Sequence, residues 1–145
     1  MNETPTIQVG ILGFGTVGQG TWKHLEENAD FWEKILGVRL VPSRASVRTL
    51  DKERKVKIPT DALTTDSQSI VDDPKIDLLC ELIGGIEEAK KLTLRAFSLG
   101  KSVVTANKAL ICEHGDELFQ AAEEAGVHYA FEASVAGGIP ILKTL

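Results

Sequence analysis

The sequence predicts an α/β fold: a mostly parallel, doubly wound sheet with helices on both faces. Three observations predict it. Short apolar runs alternate with segments of helical periodicity along the chain, the order expected when each crossover returns to the same sheet. The run in residues 76–83, with Ile76, Leu78, Leu79, Leu82 and Ile83, is nearly continuous, as in a strand covered on both faces. The first run, Val9 to Leu12, passes directly into a glycine-punctuated helix start.

That first strand is followed by a helix beginning near Thr16 or Val17, with Val17, Trp22, Leu25 and Ala29 available for one face. Residues 31–36 read as a lengthened connection. A second strand lies within residues 38–47, its reliable part at 43–47, because Pro42 cannot donate to a ladder and marks an edge or a bulge. Residues 49–59, with the run Asp51-Lys52-Glu53-Arg54-Lys55, read as a solvated loop. A short third strand at 62–65 leads to a small helix capped by Asp66 or Ser67 and ended by Asp73-Pro74.

The strand at 76–83 stops at Gly84-Gly85. A helix over 86–99 keeps Ala89, Leu92, Ala96 and Phe97 at helical spacing and ends at Gly100. Residues 102–105 form another short buried strand. Residues 113–125 form a helix with Leu118, Ala121, Ala122 and Ala125 inward and Gly126 as its stop, and residues 127–132 form the last strand. Ligands of such sheets lie outside the carboxyl ends of the strands, which selects residues 13–18, 47–49, 83–85, 105–108 and 132–140.

Gly13, Gly15 and Gly18 fit the G-x-G-x-x-G spacing of a dinucleotide-binding turn, and so predict a Rossmann-type domain. The first glycine makes the bend, the second lets backbone approach a pyrophosphate, and the third lets helix and strand pack closely. The following helix aims its free N–H groups and positive dipole end at the phosphates. The candidate cofactor contacts here are Gly13, Phe14, Gly15, Thr16, Val17 and Gly18. Glycine-rich turns also arise for steric reasons alone, and it is the preceding strand and following helix that favour the binding reading.

At 145 residues the chain has the length of one domain with a real core. A net charge of −5 with scattered Lys and Arg offers no electrostatic footprint for nucleic acid. No run approaches a transmembrane helix and the polar start lacks the regions of a secretory signal, so the expectation is a cytoplasmic protein with no membrane partner. Cys80 and Cys112 sit in apolar settings and read as buried free thiols.

An NAD-binding turn usually presents Asp or Glu at the end of the second strand, roughly 20 residues after the glycines. Here that end reads Val47-Arg48-Thr49. Arg48 suits a 2′-phosphate through its planar donor fork, which favours NADP; Asp51 nearby leaves NAD possible. The other reading of Arg48 is an exposed loop arginine.

Four blocks together resemble the amino-terminal part of the homoserine dehydrogenases: GILGFGTVGQG (residues 10–20), ELIGG (81–85), VTANKALI (104–111) and FEASVAGGIPI (131–141). They span nearly the whole chain, and the last two are far more specific than the glycine turn. The resemblance implies an oxidoreductase that interconverts L-aspartate 4-semialdehyde and L-homoserine with NAD(P)(H), on the route to threonine, methionine and isoleucine. Gly84 and Gly85 join the expected cofactor contacts. The resemblance places Lys108 beside nicotinamide and substrate, as catalytic and cofactor-binding residue, with Asn107 holding its turn. Chemically, an ammonium there can steady an alkoxide or pass a proton; the bland reading is a lysine capping a helix or facing solvent.

A glycine-rich turn with one carboxylate suits a hard monovalent cation through oxygen ligands. The resemblance implies a sodium site made by Glu132, Val135, Gly137 and Ile139, the apolar residues acting through their carbonyls; without it the loop reads as a hinge leaving the nucleotide domain. The family also carries a substrate and dimerisation domain with further acidic residues and a second lysine, absent from this chain. Residues 1–135 are therefore read as the NAD(P)-binding domain and 136–145 as the start of the connection, with Pro140 in the first turn of a helix. The isolated chain is expected to be inactive and the full-length enzyme to be a homo-oligomer acting on a small-molecule substrate. A reading from another class is a nucleotide-sensing regulatory module without a reaction of its own.

Overall fold

The computed structural model describes residues 4–135. Six parallel strands form one sheet in the order β3-β2-β1-β4-β5-β6. They are β1 Thr6–Leu12, β2 Arg39–Ser46, β3 Leu63–Thr64, β4 Leu78–Glu81, β5 Ser102–Thr105 and β6 Tyr129–Ala130. The helices are α1 Thr16–Glu27, α2 Ala29–Leu36, α3 Ser67–Val71, α4 Glu87–Ser98 and α5 Lys108–Ala125. The order reverses between β1 and β4, so a crevice opens at the carboxyl ends of these two strands. This is the Rossmann-type architecture the sequence predicts.

The central strands are buried on both faces and contribute alternate residues to two cores. On one side Leu12, Leu79 and Val103 pack with Ile70 and Val71 of α3, Leu92 and Phe97 of α4, and Leu110 and Leu118 of α5. On the other, Val9, Ile11, Ala45 and Cys80 pack around Trp22 of α1 and Phe14, whose rings meet edge to face at 5.7 Å. Trp22 is therefore the anchor of α1, as its helical spacing indicates, while Val17 is exposed and takes no part in that face.

Several boundaries differ from the sequence reading. Residues 29–36 are a helix, not a plain connection; Phe31 and Ile35, and Trp32 and Leu36, stand at helical spacing, but α2 buries no residue and Phe31, Ile35 and Leu36 stay exposed. β2 starts four residues before the reliable part of the expected strand and runs through Pro42. Its pairing with β1 steps from Val9 with Pro42 to Gly10 with Arg44, leaving Ser43 as the extra residue of a bulge. On its other side β2 is paired by β3 only at Ala45 and Ser46, so Pro42 lies where that edge is open and no ladder bond needs its missing N–H.

The strand expected over 76–83 is confined to Leu78–Glu81, which pairs with Val9–Leu12 of β1 and with Ser102–Thr105 of β5, and β6 is two residues long, pairing with Val103 and Val104. Helix α5 begins at Lys108, five residues earlier than expected, because the Asn107 side chain caps it by accepting from the Leu110 N–H at 3.1 Å. Asp66 caps α3 by accepting from the Ser69 N–H, as its position suggests. Cys80 is a buried thiol, its pKa pushed up to about 11 by burial, but Cys112 is exposed on α5.

The contact that brings α1 onto the sheet is made by Gly18. A Cβ there would strike the Gly13 carbonyl oxygen, whereas one at Gly20, two residues further along the same helix, meets nothing within 4 Å. Gly18→Ala is thus expected to destabilise the chain by roughly 1–3 kcal/mol through overpacking. Gly20→Ala should add about 0.5–1 kcal/mol by removing unfolded-state freedom. Thermal melts of the two variants check the opposite signs.

The α3 side is closed by an ion pair. Asp73 Oδ1 accepts from the Lys75 N–H at 2.9 Å, and Arg44 Nη1 donates to Asp73 Oδ2 at 3.2 Å and to the Ser69 carbonyl at 3.3 Å. The Lys75 amide first, and Arg44 with it, hold the Asp73 carboxyl below its ordinary value of 3.8. A carboxyl lowered on folding contributes stability above its unfolded pKa and loses it as pH falls through the folded one. Arg44→Ala should lower stability near neutrality by about 1 kcal/mol. It should also narrow the difference in melting temperature between about pH 7 and about pH 3. Melts at the two pH values check this, and an unaltered difference rules out the role given to Arg44.

Candidate nucleotide-binding site

The carboxyl ends of β1 and β2 meet at Ser46. Its side-chain oxygen accepts from the Gly13 N–H at 3.1 Å, its carbonyl accepts from the Phe14 N–H at 2.7 Å, and its hydroxyl receives the Ser67 hydroxyl at 2.9 Å. On the β4 side, the Leu82 N–H donates to the Leu12 carbonyl at 2.8 Å. Gly13 takes φ +97°, and a Cβ on it would lie 2.6 Å from the Leu82 carbonyl oxygen, so this bend accepts only glycine. Two turn amides are thereby used inside the protein, which leaves ligand contact to the following residues.

Gly15 is the N-cap of α1. A Cβ on it would meet nothing within 4 Å, and the helix start carries no side-chain cap. The missing side chain opens onto a cleft of about 1110 Å³. Backbone amides of an uncapped helix start, at its positive dipole end, face such a space ready for an anion. The residues present therefore fit a dinucleotide pyrophosphate.

The cleft collects most of the expected contacts. Gly13, Phe14, Gly15, Thr16, Arg48 and Gly84 line it; Val17, Gly18, Gly85 and Lys108 do not. Phe14 contributes backbone only, since its ring is buried against Trp22. Gly18 acts through packing. Gly84 and Gly85 both take positive φ, +64° and +82°, so this turn is shaped by backbone that other residues adopt at a cost.

Arg48 lies just beyond the carboxyl end of β2, exposed on the cleft wall. The loop expected to be merely solvated folds back to form the same wall, bringing Lys52, Glu53, Arg54 and Lys55 to it. Gln19 fastens the loop: its Oε1 accepts from the Val56 N–H at 3.1 Å while its Nε2 donates to the Gly15 carbonyl at 3.3 Å. Arg54 is spent on the loop itself, donating to the Leu50 carbonyl at 3.0 Å, the Lys52 carbonyl at 2.7 Å and the Thr49 carbonyl. Arg48 forms no ion pair with a described residue.

Ser46, Gln19, Lys52 and Lys55 were not singled out from sequence. A small hydroxyl residue at a strand end is the one signal that marks Ser46, whereas the loop residues are identified only by the fold-back.

Lys108 opens α5 at the carboxyl end of β5, exposed and outside the lining of the cleft. Its turn is nevertheless tied to the cleft rim, because Asn107 Nδ2 donates to the Gly85 carbonyl at 2.6 Å. Of the implied sodium ligands, Glu132 begins a short 3₁₀ turn, Glu132–Ser134, and Val135 follows it, with the Glu132 carbonyl accepting from the Val135 N–H at 3.1 Å. Gly137 and Ile139 lie outside the described residues, as do Pro140 and the connection. Among the described residues no cluster of His, Cys, Asp and Glu is arranged to hold a metal, and no helix is long and apolar enough to cross a membrane.

A family model described as "Homoserine dehydrogenase, NAD binding domain" matches residues 13–132. A homoserine dehydrogenase of Synechocystis sp. is 44% identical over 140 residues, covering 97% of this chain and 32% of the relative. The crystal structure of a homoserine dehydrogenase from Thiobacillus denitrificans superposes with a TM-score of 0.89 at 48% identity, covering 96% of this chain and 32% of that one. A hyperthermophilic archaeal homoserine dehydrogenase solved in complex with NADPH superposes with a TM-score of 0.76 at 25% identity, covering 96% of this chain and 47% of that one. The chain spans about a third of the length of the curated relatives it matches. With a glycine turn open at Gly15, a helix start aimed into the crevice and this match over most of its length, the chain belongs to the homoserine dehydrogenase family, as its NAD-binding domain.

Proposed function

We propose that the chain is the nucleotide-binding part of an enzyme that interconverts L-aspartate 4-semialdehyde and L-homoserine by hydride transfer with NADP(H). The observation that carries the reading is the open space over Gly15 at the uncapped start of α1, within a chain whose relatives are homoserine dehydrogenases. The nicotinamide cofactor, when bound, supplies or takes up the hydride. The protein's own work is to hold and orient. The first amides of α1 receive the pyrophosphate, Gly13 and Ser46 keep that turn rigid, and Gly84 and Gly85 form the rim on the β4 side.

The preference for NADP over NAD rests on Arg48, with no carboxylate at the end of β2 itself; Lys52 and Lys55 line the same cleft, as does Glu53. A guanidinium fork suits a 2′-phosphate better than a ribose diol. The archaeal relative solved with NADPH supports the same preference. Lys108 steadies the developing alkoxide and passes the proton, from a turn fixed by the Asn107 cap. The same reading takes a monovalent cation near Glu132 and Val135; no step is assigned to it. The reaction serves threonine, methionine and isoleucine synthesis in the cytoplasm, with the full-length protein a homo-oligomer.

Gly15→Ala should leave the melting temperature almost unchanged, since the added Cβ meets only open space. It should weaken NADPH binding by about tenfold or more by occupying the approach to the pyrophosphate. Fluorescence titration of NADPH beside a thermal melt checks both halves.

Arg48→Ala should weaken NADPH by about tenfold while leaving NADH within about twofold. Wild-type protein that binds NADH as tightly as NADPH, unchanged by the substitution, would exclude the NADP assignment. In the enzyme that oxidises homoserine, Lys108→Ala should lower kcat by roughly a hundredfold or more while NADPH affinity holds. An unchanged kcat would reduce the lysine to scaffolding.

A further inference from the structure

Glu81 is the last residue of β4 and is fully buried, opposite Leu12 of β1 and Thr105 of β5. No cation among the described residues pairs with it, and burial pushes its carboxyl pKa up. A carboxyl in such a place costs more than a leucine would unless its hydrogen bonds are used. Its side-chain partners lie where the chain leaves β4 and at the last residue of β5. Oε1 accepts from the Ile83 N–H at 3.1 Å, at the start of the turn to Gly84 and Gly85. Oε2 accepts from the Thr105 hydroxyl at 2.6 Å.

The chain of bonds then closes on itself. Thr105 Oγ1 accepts from the Asn107 N–H at 3.0 Å, and Asn107 Nδ2 donates to the Gly85 carbonyl at 2.6 Å. The other arm of Asn107, Oδ1, caps α5 through the Leu110 N–H and so sets where Lys108 emerges. The Tyr129 hydroxyl is buried nearby, its pKa raised by burial and by the Glu81 charge. The ring of Glu81, Ile83, Gly85, Asn107 and Thr105 touches both loops on the β4 and β5 side of the crevice. Arg48, the basic loop and Ser46 lie on the β2 side.

We propose that Glu81 is a positioning residue that couples the Gly84-Gly85 turn to the turn presenting Lys108, and so shapes the nicotinamide half of the cofactor site. The inference rests on reading the cleft as a dinucleotide site. With the pyrophosphate at the switch point and the adenosine phosphate at Arg48, the nicotinamide half falls on the β4 and β5 side. Glu81 does not touch the cofactor; it acts through Ile83, Thr105 and Asn107.

The test compares wild type with Glu81→Leu, Glu81→Gln and Thr105→Val, each checked for folding by circular dichroism. NADPH and 2′,5′-ADP are titrated, the second probe lacking the nicotinamide half, and amide hydrogen exchange is followed at Leu110. Glu81→Leu and Thr105→Val should weaken NADPH by about tenfold and leave 2′,5′-ADP within about twofold. Exchange at Leu110, which Glu81 does not contact, should quicken by about tenfold. Glu81→Gln, which keeps an acceptor for Ile83, should restore most of both.

Equal weakening of the two probes would show a general loss of structure and overturn the proposal, as would unchanged exchange at Leu110. Should Glu81→Leu fail to fold, Thr105→Val carries the same comparison. Wild-type protein that binds neither probe would sink the cofactor reading, and the exchange at Leu110 would then decide the coupling by itself.

Discussion

The structure depends on one close approach, that of the turn after β1 to its two neighbours. The chain must bend at Gly13 in the narrow gap between Ser46 of β2 and Leu82 after β4, and α1 must start at once and lie against the bend through Gly18. A side chain at either glycine collides with backbone oxygen rather than with a flexible neighbour, so the fit cannot relax cheaply. Once the bend is in place, Trp22 locks α1 over Phe14 and Ile11, and the cleft opens where the strand order reverses. Rigidity and an empty cradle thus come from the same few residues.

The two sides of the crevice are built by different physics. On the β2 side the chain places exposed cations, Arg48, Lys52 and Lys55, on a segment fastened by Gln19, by the internal bonds of Arg54 and by Val56 and Ile58 packed against the core. Their attraction to a phosphate is screened by salt but needs no exact register. The chain as a whole is acidic, with a net charge of −5, so these cations are a local feature of the cleft wall rather than part of a basic surface. On the β4 and β5 side the groups are buried and bonded one to the next, from Glu81 through Thr105 to Asn107. Order there comes from hydrogen bonds in a low dielectric, where a missing partner is expensive.

The place of Pro42 in β2 and the early start of α5 show how local rules yield to the sheet. Pro42 argues against an interior strand, yet β3 reaches only Ala45 and Ser46, so β2 is an open edge where the proline sits. The sequence places the helix only from residue 113, yet the Asn107 cap starts it at Lys108 and takes in Ala109, Leu110 and Ile111. In both cases the deciding partner is distant in sequence or hidden in a side-chain bond.

The amino-acid sequence by itself determined the parallel α/β fold, the glycine turn, the families of residues on the two cores and the identity of the relatives. These depend on periodicity, on glycine spacing and on strand burial, which are local or repeated properties of the chain. Arg48 was legible for the same reason, since a strand end can be counted from the glycines. Only the tertiary structure decided that residues 49–56 fold onto the cleft, that Ser46 pins the turn, that Lys108 emerges outside the cleft lining, and that Glu81 joins two loops. Each of these is a pairing between residues more than twenty apart or a choice of which way a loop folds, and neither leaves a periodic trace in the chain.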